Sequence, residues 1–197
     1  MDRPLKLFLF LSLSLLLTGC FEQEAKVVIA APIEKVWAYT KDSSQAKDWS
    51  VFFDHISPFG DRPDGSVGSQ RRCFRRANDQ GLTWDEEVLA IEEPHYRSLR
   101  TYNIINSPIP HMENFECMVE HRLKKLDEQH TELIFSSKPS RTDFRFSNVI
   151  QALRGGMQAA RIVQLNVENI KKIIETGSTA DLHPYMEEAN PFFDKPD

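Results

Sequence analysis

Apolar and polar positions change rhythm repeatedly along this chain. Residues 7–17 are an uncharged run of Leu, Phe and Ser. Residues 26–30 are rich in β-branched side chains and stop at Ala31-Pro32, after which Ile33, Val36, Trp37 and Thr40 recur at helical spacing. Pro32 suits the opening turn of that helix. A second helical stretch follows at 43–48, with Asp42 or Ser43 placed to cap it. From Val51 onward the pattern shortens to β-like runs at 51–56, 70–76, 82–91, 96–104, 112–126 and 131–137. Their links are rich in turn formers, as in Glu93-Pro94-His95 and Asp127-Glu128-Gln129, and such short links join antiparallel neighbours. The longest periodic segment comes last. Ile150, Leu153, Met157, Ala160, Val163, Val167, Ile170 and Ile174 form one stripe on a helix predicted over 147–175, with Ser147 or Asn148 at its start and Gly177 at its end. Gly155-Gly156 falls inside that helix at about 1 kcal/mol each relative to alanine, so a bend or a close backbone approach is expected there.

The N-terminal run is read from its flanks. Arg3 and Lys6 precede it, and about a dozen apolar residues fall short of the roughly 20 that span a bilayer core. It therefore reads as the apolar region of a signal peptide. It ends in Leu17-Thr18-Gly19-Cys20, which resembles the cleavage box of bacterial lipoproteins. That resemblance implies removal of residues 1–19, acylation of Cys20, a short tether over 20–25 and attachment to a membrane through acyl chains. Phe21 stands where an inner-membrane lipoprotein would carry Asp, so the expected address in a Gram-negative cell is the outer membrane, facing the periplasm. Cleavage shifts the net charge from −5 to −6 by removing Arg3, Lys6 and Asp2. Such a surface excludes a general nucleic-acid binder, which needs a positive field. About 178 residues remain, a usual size for one core. Residues 177–197 are acidic, hold Pro184, Pro191 and Pro196, and read as a tail.

Within residues 26–176 the order of elements and several short motifs point to one superfamily. Val28-Ile29-Ala30-Ala31-Pro32-Ile33-Glu34-Lys35-Val36-Trp37, Gly68, Trp84-Asp85-Glu86-Glu87-Val88 before Glu93-Pro94, and Asn166-Val167-Glu168-Asn169-Ile170-Lys171 together resemble the SRPBCC or START-like proteins of the polyketide cyclase/dehydrase type. The resemblance implies an α+β helix-grip fold. About seven antiparallel strands would wrap around a long C-terminal helix, with two short helices after the first strand and an apolar cavity inside. It implies no particular reaction, since function belongs to sites rather than folds. In that fold the strands carrying Cys73 and Cys117 are not neighbours, which implies two free, buried thiols.

Candidate chemistry is sparse. A hairpin closed by residues 77–81 would set Phe74 opposite Trp84, Arg72 opposite Glu86 and Arg71 opposite Glu87, with opposite charges contributing roughly 0.2–1 kcal/mol a pair. A slip of one residue would reverse every face. Alternation puts Trp84, Glu86 and Val88 on one side, and the family resemblance implies a cavity-facing glutamate at the place of Glu86. Glu86 with Arg72 is thus a candidate polar handle for a ligand, or else a structural pair at the cavity rim, with Trp84, Tyr102, Phe115 and Met157 as candidate lining. The six histidines, His55, His95, His111, His121, His130 and His183, show no metal-ligand spacing, and no nucleophile elbow or phosphate loop occurs. No metal or cofactor is expected. The first functional expectation is a membrane-anchored binder of a small hydrophobic or lipid-like molecule. The second is a cyclase-like enzyme using Glu86, Tyr102 or His121 as acid and base. The third is a lipoprotein that docks an envelope protein.

Overall fold

A computed structural model describes residues 22–107, 115–141 and 149–179. Seven strands form one antiparallel sheet: β1 Gln23–Ile29, β2 His55–Phe59, β3 Gln70–Phe74, β4 Thr83–Glu92, β5 Tyr96–Ile105, β6 Glu116–Lys125 and β7 Thr131–Arg141. They run in the order β1-β7-β6-β5-β4-β3-β2, so each strand from β2 to β7 lies beside its neighbours in sequence and β1 closes on β7. Between β1 and β2 stand helix α1, Ile33–Lys41, a 3-10 turn, Ser43–Gln45, and the single-turn helix α2, Ala46–Trp49. The long helix α3, Val149–Thr176, ends the fold and is continuous through Gly155-Gly156. This is the helix-grip architecture that the resemblance implies.

Local chemistry explains most boundaries. α1 buries Ile33, Val36, Trp37 and Thr40, the set picked out by its spacing. Asp42 accepts from the Ser44 amide at 2.9 Å and so caps the turn that follows. β1 begins at Gln23, inside the stretch expected to be a tether through Ala25, because Gln23, Glu24 and Ala25 pair with Ser137, Ser136 and Phe135. The strand expected at 51–56 starts only at His55. The backbone before it is held by side chains instead of a ladder. Asn166 Oδ1 accepts from the Val51 amide at 2.9 Å, and Ser50 Oγ accepts from Phe52 and Phe53. Arg75 Nη1 donates to the carbonyls of Val51 and Phe52.

α3 packs on β1 and β7 through Val167, Ile170 and Ile174. Two members of its expected stripe differ in environment: Ala160 is exposed, and Val163 is only half-buried. Ile162, Asn166 and Asn169 are buried in the same turns. The two asparagines explain the difference, because they turn the helix so that Asn166 reaches Val51 and Asn169 Nδ2 donates to the Trp49 carbonyl at 3.0 Å. Cys73 and Cys117 are both free and buried, on β3 and β6, which are separated by β4 and β5.

Candidate functional site

The register of the β3–β4 hairpin decides which charges face inward. Arg71 lies opposite Glu86, Arg72 opposite Asp85 and Cys73 opposite Trp84. This is one residue away from the pairing expected from turn length, so Glu86 meets Arg71 and not Arg72. The turn holds the extra residue because Asp79 and Gly81 both adopt positive φ, at 61° and 84°.

On the inner face, Arg71 Nε and Nη2 lie 2.9 and 2.7 Å from Glu86 Oε2. Their side chains are only 7% and 10% exposed. The Trp84 indole donates to the other carboxylate oxygen at 3.3 Å. Phe52 stacks on Trp84 with ring centroids 4.8 Å apart, and Phe53 meets it edge-on at 5.8 Å. Phe53 in turn packs on Trp49, Trp49 on Phe135, and Phe135 lies flat on His121 at 3.7 Å. An aromatic wall thus joins the Glu86 pair to a second buried polar group.

That second group is Arg97 with His121. Arg97 is buried and donates to the carbonyls of Thr40 and Lys41, at the C-terminal end of α1, where a cation is favoured. It also donates to His121 Nδ1 at 2.8 Å. A guanidinium has donors only, so Nδ1 accepts and the imidazole proton sits on Nε2. Burial, reinforced by Arg97 and Arg71, holds the His121 pKa well below its ordinary value. Burial and the nearby Arg71 charge also lower Arg97 to about 9, which leaves it charged at neutral pH. Burial and the Glu86 carboxylate push the Cys73 thiol up, so it is no nucleophile.

The outer face carries a separate set of pairs. Arg72 grips Asp85 through two bonds, at 2.7 and 3.0 Å, and Asn103 adds a third at 2.6 Å. Arg100 pairs with Glu87 at 2.7 Å and lies over the Tyr102 ring, whose hydroxyl accepts from Gln70. Of the candidate lining residues, the structure therefore brings together Glu86 and Trp84 and leaves Arg72 and Tyr102 on the opposite face. Tyr102 faces outward because it lies opposite Asp85 in unbroken register, three residues beyond the buried Leu99 on β5. Phe115 is half-buried just ahead of β6. Cys20 and the side chain of Met157 lie outside the described residues, as does the tail beyond 179. Sequence reasoning missed Arg71 as the partner of Glu86 and missed Arg97 altogether. Alternation with the buried Leu99 was the available signal for Arg97.

The chemistry open to this arrangement is narrow. Both Glu86 oxygens are engaged, and neutral His121 has its lone pair committed to Arg97, so neither is a free base. Among the described residues no cluster of His, Cys, Asp and Glu fits a metal ion. An open groove of about 610 Å³ lies elsewhere, between α1 and the end of α3, lined by Lys35, Tyr39, Asp42 and Ile173, and holds none of these pairs.

The state of His121 sets a pH dependence. The folded chain binds its proton less readily than the unfolded chain, so this stabilisation is complete above the unfolded value near 6.5 and is lost as pH falls below it. Between pH 6.5 and 5, unfolding free energy should fall with a slope of up to about 1.4 kcal/mol per pH unit from this group. His121→Gln should flatten that slope in urea titrations at stepped pH; equal slopes would show that His121 is not buried as a neutral ring.

Comparison with known proteins gives the same fold. The chain matches the Zhui aromatase/cyclase from Streptomyces sp. R1128 at 12% identity with a TM-score of 0.56, covering 81% of this chain and 98% of that one. A START superfamily protein from Mycobacterium smegmatis matches at 14% identity with a TM-score of 0.53, covering 75% and 97%. DynU16, a protein of the dynemicin biosynthetic locus, matches at 21% identity with a TM-score of 0.53, covering 80% of this chain, which spans 48% of DynU16. No curated protein matches the sequence. The family model for polyketide cyclase / dehydrase and lipid transport matches residues 21–175, most of the chain, and the protein belongs to that family.

Proposed function

We propose that this protein is a membrane-anchored lipoprotein that holds a small hydrophobic or lipid-like molecule between its sheet and its long helix. The observation that carries the reading is the buried Arg71–Glu86–Trp84 group, joined by an aromatic wall to the buried Arg97–His121 pair in an inner face whose other side chains are mostly aromatic and aliphatic. A ligand site of this type is mostly apolar, with a few fixed polar groups that orient one end of the ligand. The family description, which includes lipid transport, supports the same reading. Engagement of both Glu86 and His121 favours binding over acid–base catalysis. Full-length protein extracted in mild detergent should carry a stoichiometric apolar molecule visible by mass spectrometry after organic extraction. An empty interior that also takes up no apolar dye would overturn the proposal.

The anchor has its own test. Cys20→Ser should accumulate as an uncleaved precursor and incorporate no labelled fatty acid, because the thiol is the acylation site. Label entering that variant at the wild-type level would show that Cys20 is not the acceptor.

A further inference from the structure

The start of β1 constrains how the domain sits on a membrane. The strand begins at Gln23, so no more than about 11 Å of extended chain separates Cys20 from the sheet. The carboxylates beside this point have basic neighbours: Glu22 lies 3.8 Å from Lys138, and Glu24 lies 3.9 Å from Arg122, which also holds Glu120 at 2.9 Å. Antiparallel order gathers the end of β5, the start of β6 and the end of β7 at the same edge of the sheet as the start of β1.

α3 runs in the same direction as β1. Lys171 Nζ donates to the Val28 carbonyl, and Glu175 accepts from the Ala30 amide at 2.7 Å, so helix and strand advance together. From Val28 back to Gln23 is about 17 Å of strand. From Lys171 back to Val149 is about 33 Å of helix. The first turns of α3 therefore reach about 16 Å beyond the start of β1, on the side of Cys20. Their sequence, Val149-Ile150-Gln151-Ala152-Leu153-Arg154-Gly155-Gly156-Met157, carries a single charge. With Val149, Ile150, Leu153 and Met157 beside one arginine, this composition suits an interfacial position.

We propose that residues 149–157 lie in the headgroup layer of the phospholipid bilayer that holds Cys20, so that the end of the domain where α3, the start of β6 and the end of β7 all extend past the start of β1 faces lipid. This rests on the reading of Cys20 as acylated. Ligand then passes between the bilayer and the interior without crossing water.

The test uses full-length protein made in a Gram-negative host and reconstituted into vesicles of phosphatidylethanolamine and phosphatidylglycerol containing nitroxide-labelled phosphatidylcholine. A nitrobenzoxadiazole dye is placed in turn at Gln151→Cys, Ala160→Cys and Glu128→Cys. Ala160 is level with the start of β1, and Glu128 lies in the turn after β6, at the opposite end. Mass spectrometry of the N-terminal peptide first establishes acylation. The expected result is an acylated protein with strong quenching at 151, weaker quenching at 160 and none at 128. Equal quenching at all three positions, or none at 151, in acylated protein overturns the proposed orientation. An unacylated N-terminus overturns the anchor reading and this orientation with it.

Discussion

Glu86→Leu is expected to destabilise the protein by about 3–5 kcal/mol, because it leaves the Arg71 guanidinium charged and unpaired in the interior. Replacing both members, Glu86→Leu with Arg71→Met, should recover much of that loss, since a buried pair exchanged for apolar side chains of similar volume is often neutral. Arg100→Ala on the outer face should cost far less than Glu86→Leu, as the side chains of Arg100 and its partner Glu87 are 40% and 25% exposed. Denaturant midpoints of the single and double variants give the coupling energy directly. A coupling near zero for Glu86 and Arg71 would show that the pair is not buried in solution. The double variant also separates stability from function: it should fold and still lose any ligand whose polar end needs the carboxylate.

The second large effect belongs to the helix. Ile170→Ala should cost about 2–5 kcal/mol, because the side chain is fully buried where α3 meets β1 and β7. Glu168→Ala, on the exposed side of the same turn, should change stability by no more than about 0.5 kcal/mol. Urea midpoints that shift equally for both would contradict the observed packing of α3.

Element positions were legible in the sequence because each depends on a local period. The apolar spacing of Ile33, Val36, Trp37 and Thr40 marks the face that α1 buries, and the turn formers between runs mark the ends of β3 to β7. Alternation within β4 was enough to put Trp84 and Glu86 on one side. Pairing between strands was less legible, since it depends on how a turn absorbs its residues. Positive φ at Asp79 and Gly81 shifts the β3–β4 register by one and changes the partner of Glu86 from Arg72 to Arg71. Tyr102 faces outward with its partner Asp85, on the side of β5 opposite the buried Leu99. Arg97 was missed for another reason: arginine is taken as a surface residue unless buried acceptors are visible, and its acceptors, Thr40 and Lys41, lie in a distant part of the chain. The loop before β2 was read as strand because its apolar residues fit one. The side chains of Ser50, Arg75 and Asn166 take up its backbone groups instead.

The contacts between α3 and β1 also determine how the molecule behaves when many copies crowd one surface. A sheet that does not close on itself has two free borders, and each is a template for pairing with another chain. On β1, the Val28 carbonyl and the amide of Ala30 just beyond the strand are already taken by Lys171 and Glu175 of α3. The other border is β2, a short strand with Pro58 inside it, which offers no N–H to an incoming strand. Both borders are thus blunted against sheet-to-sheet aggregation, which matters most under the membrane anchoring proposed above.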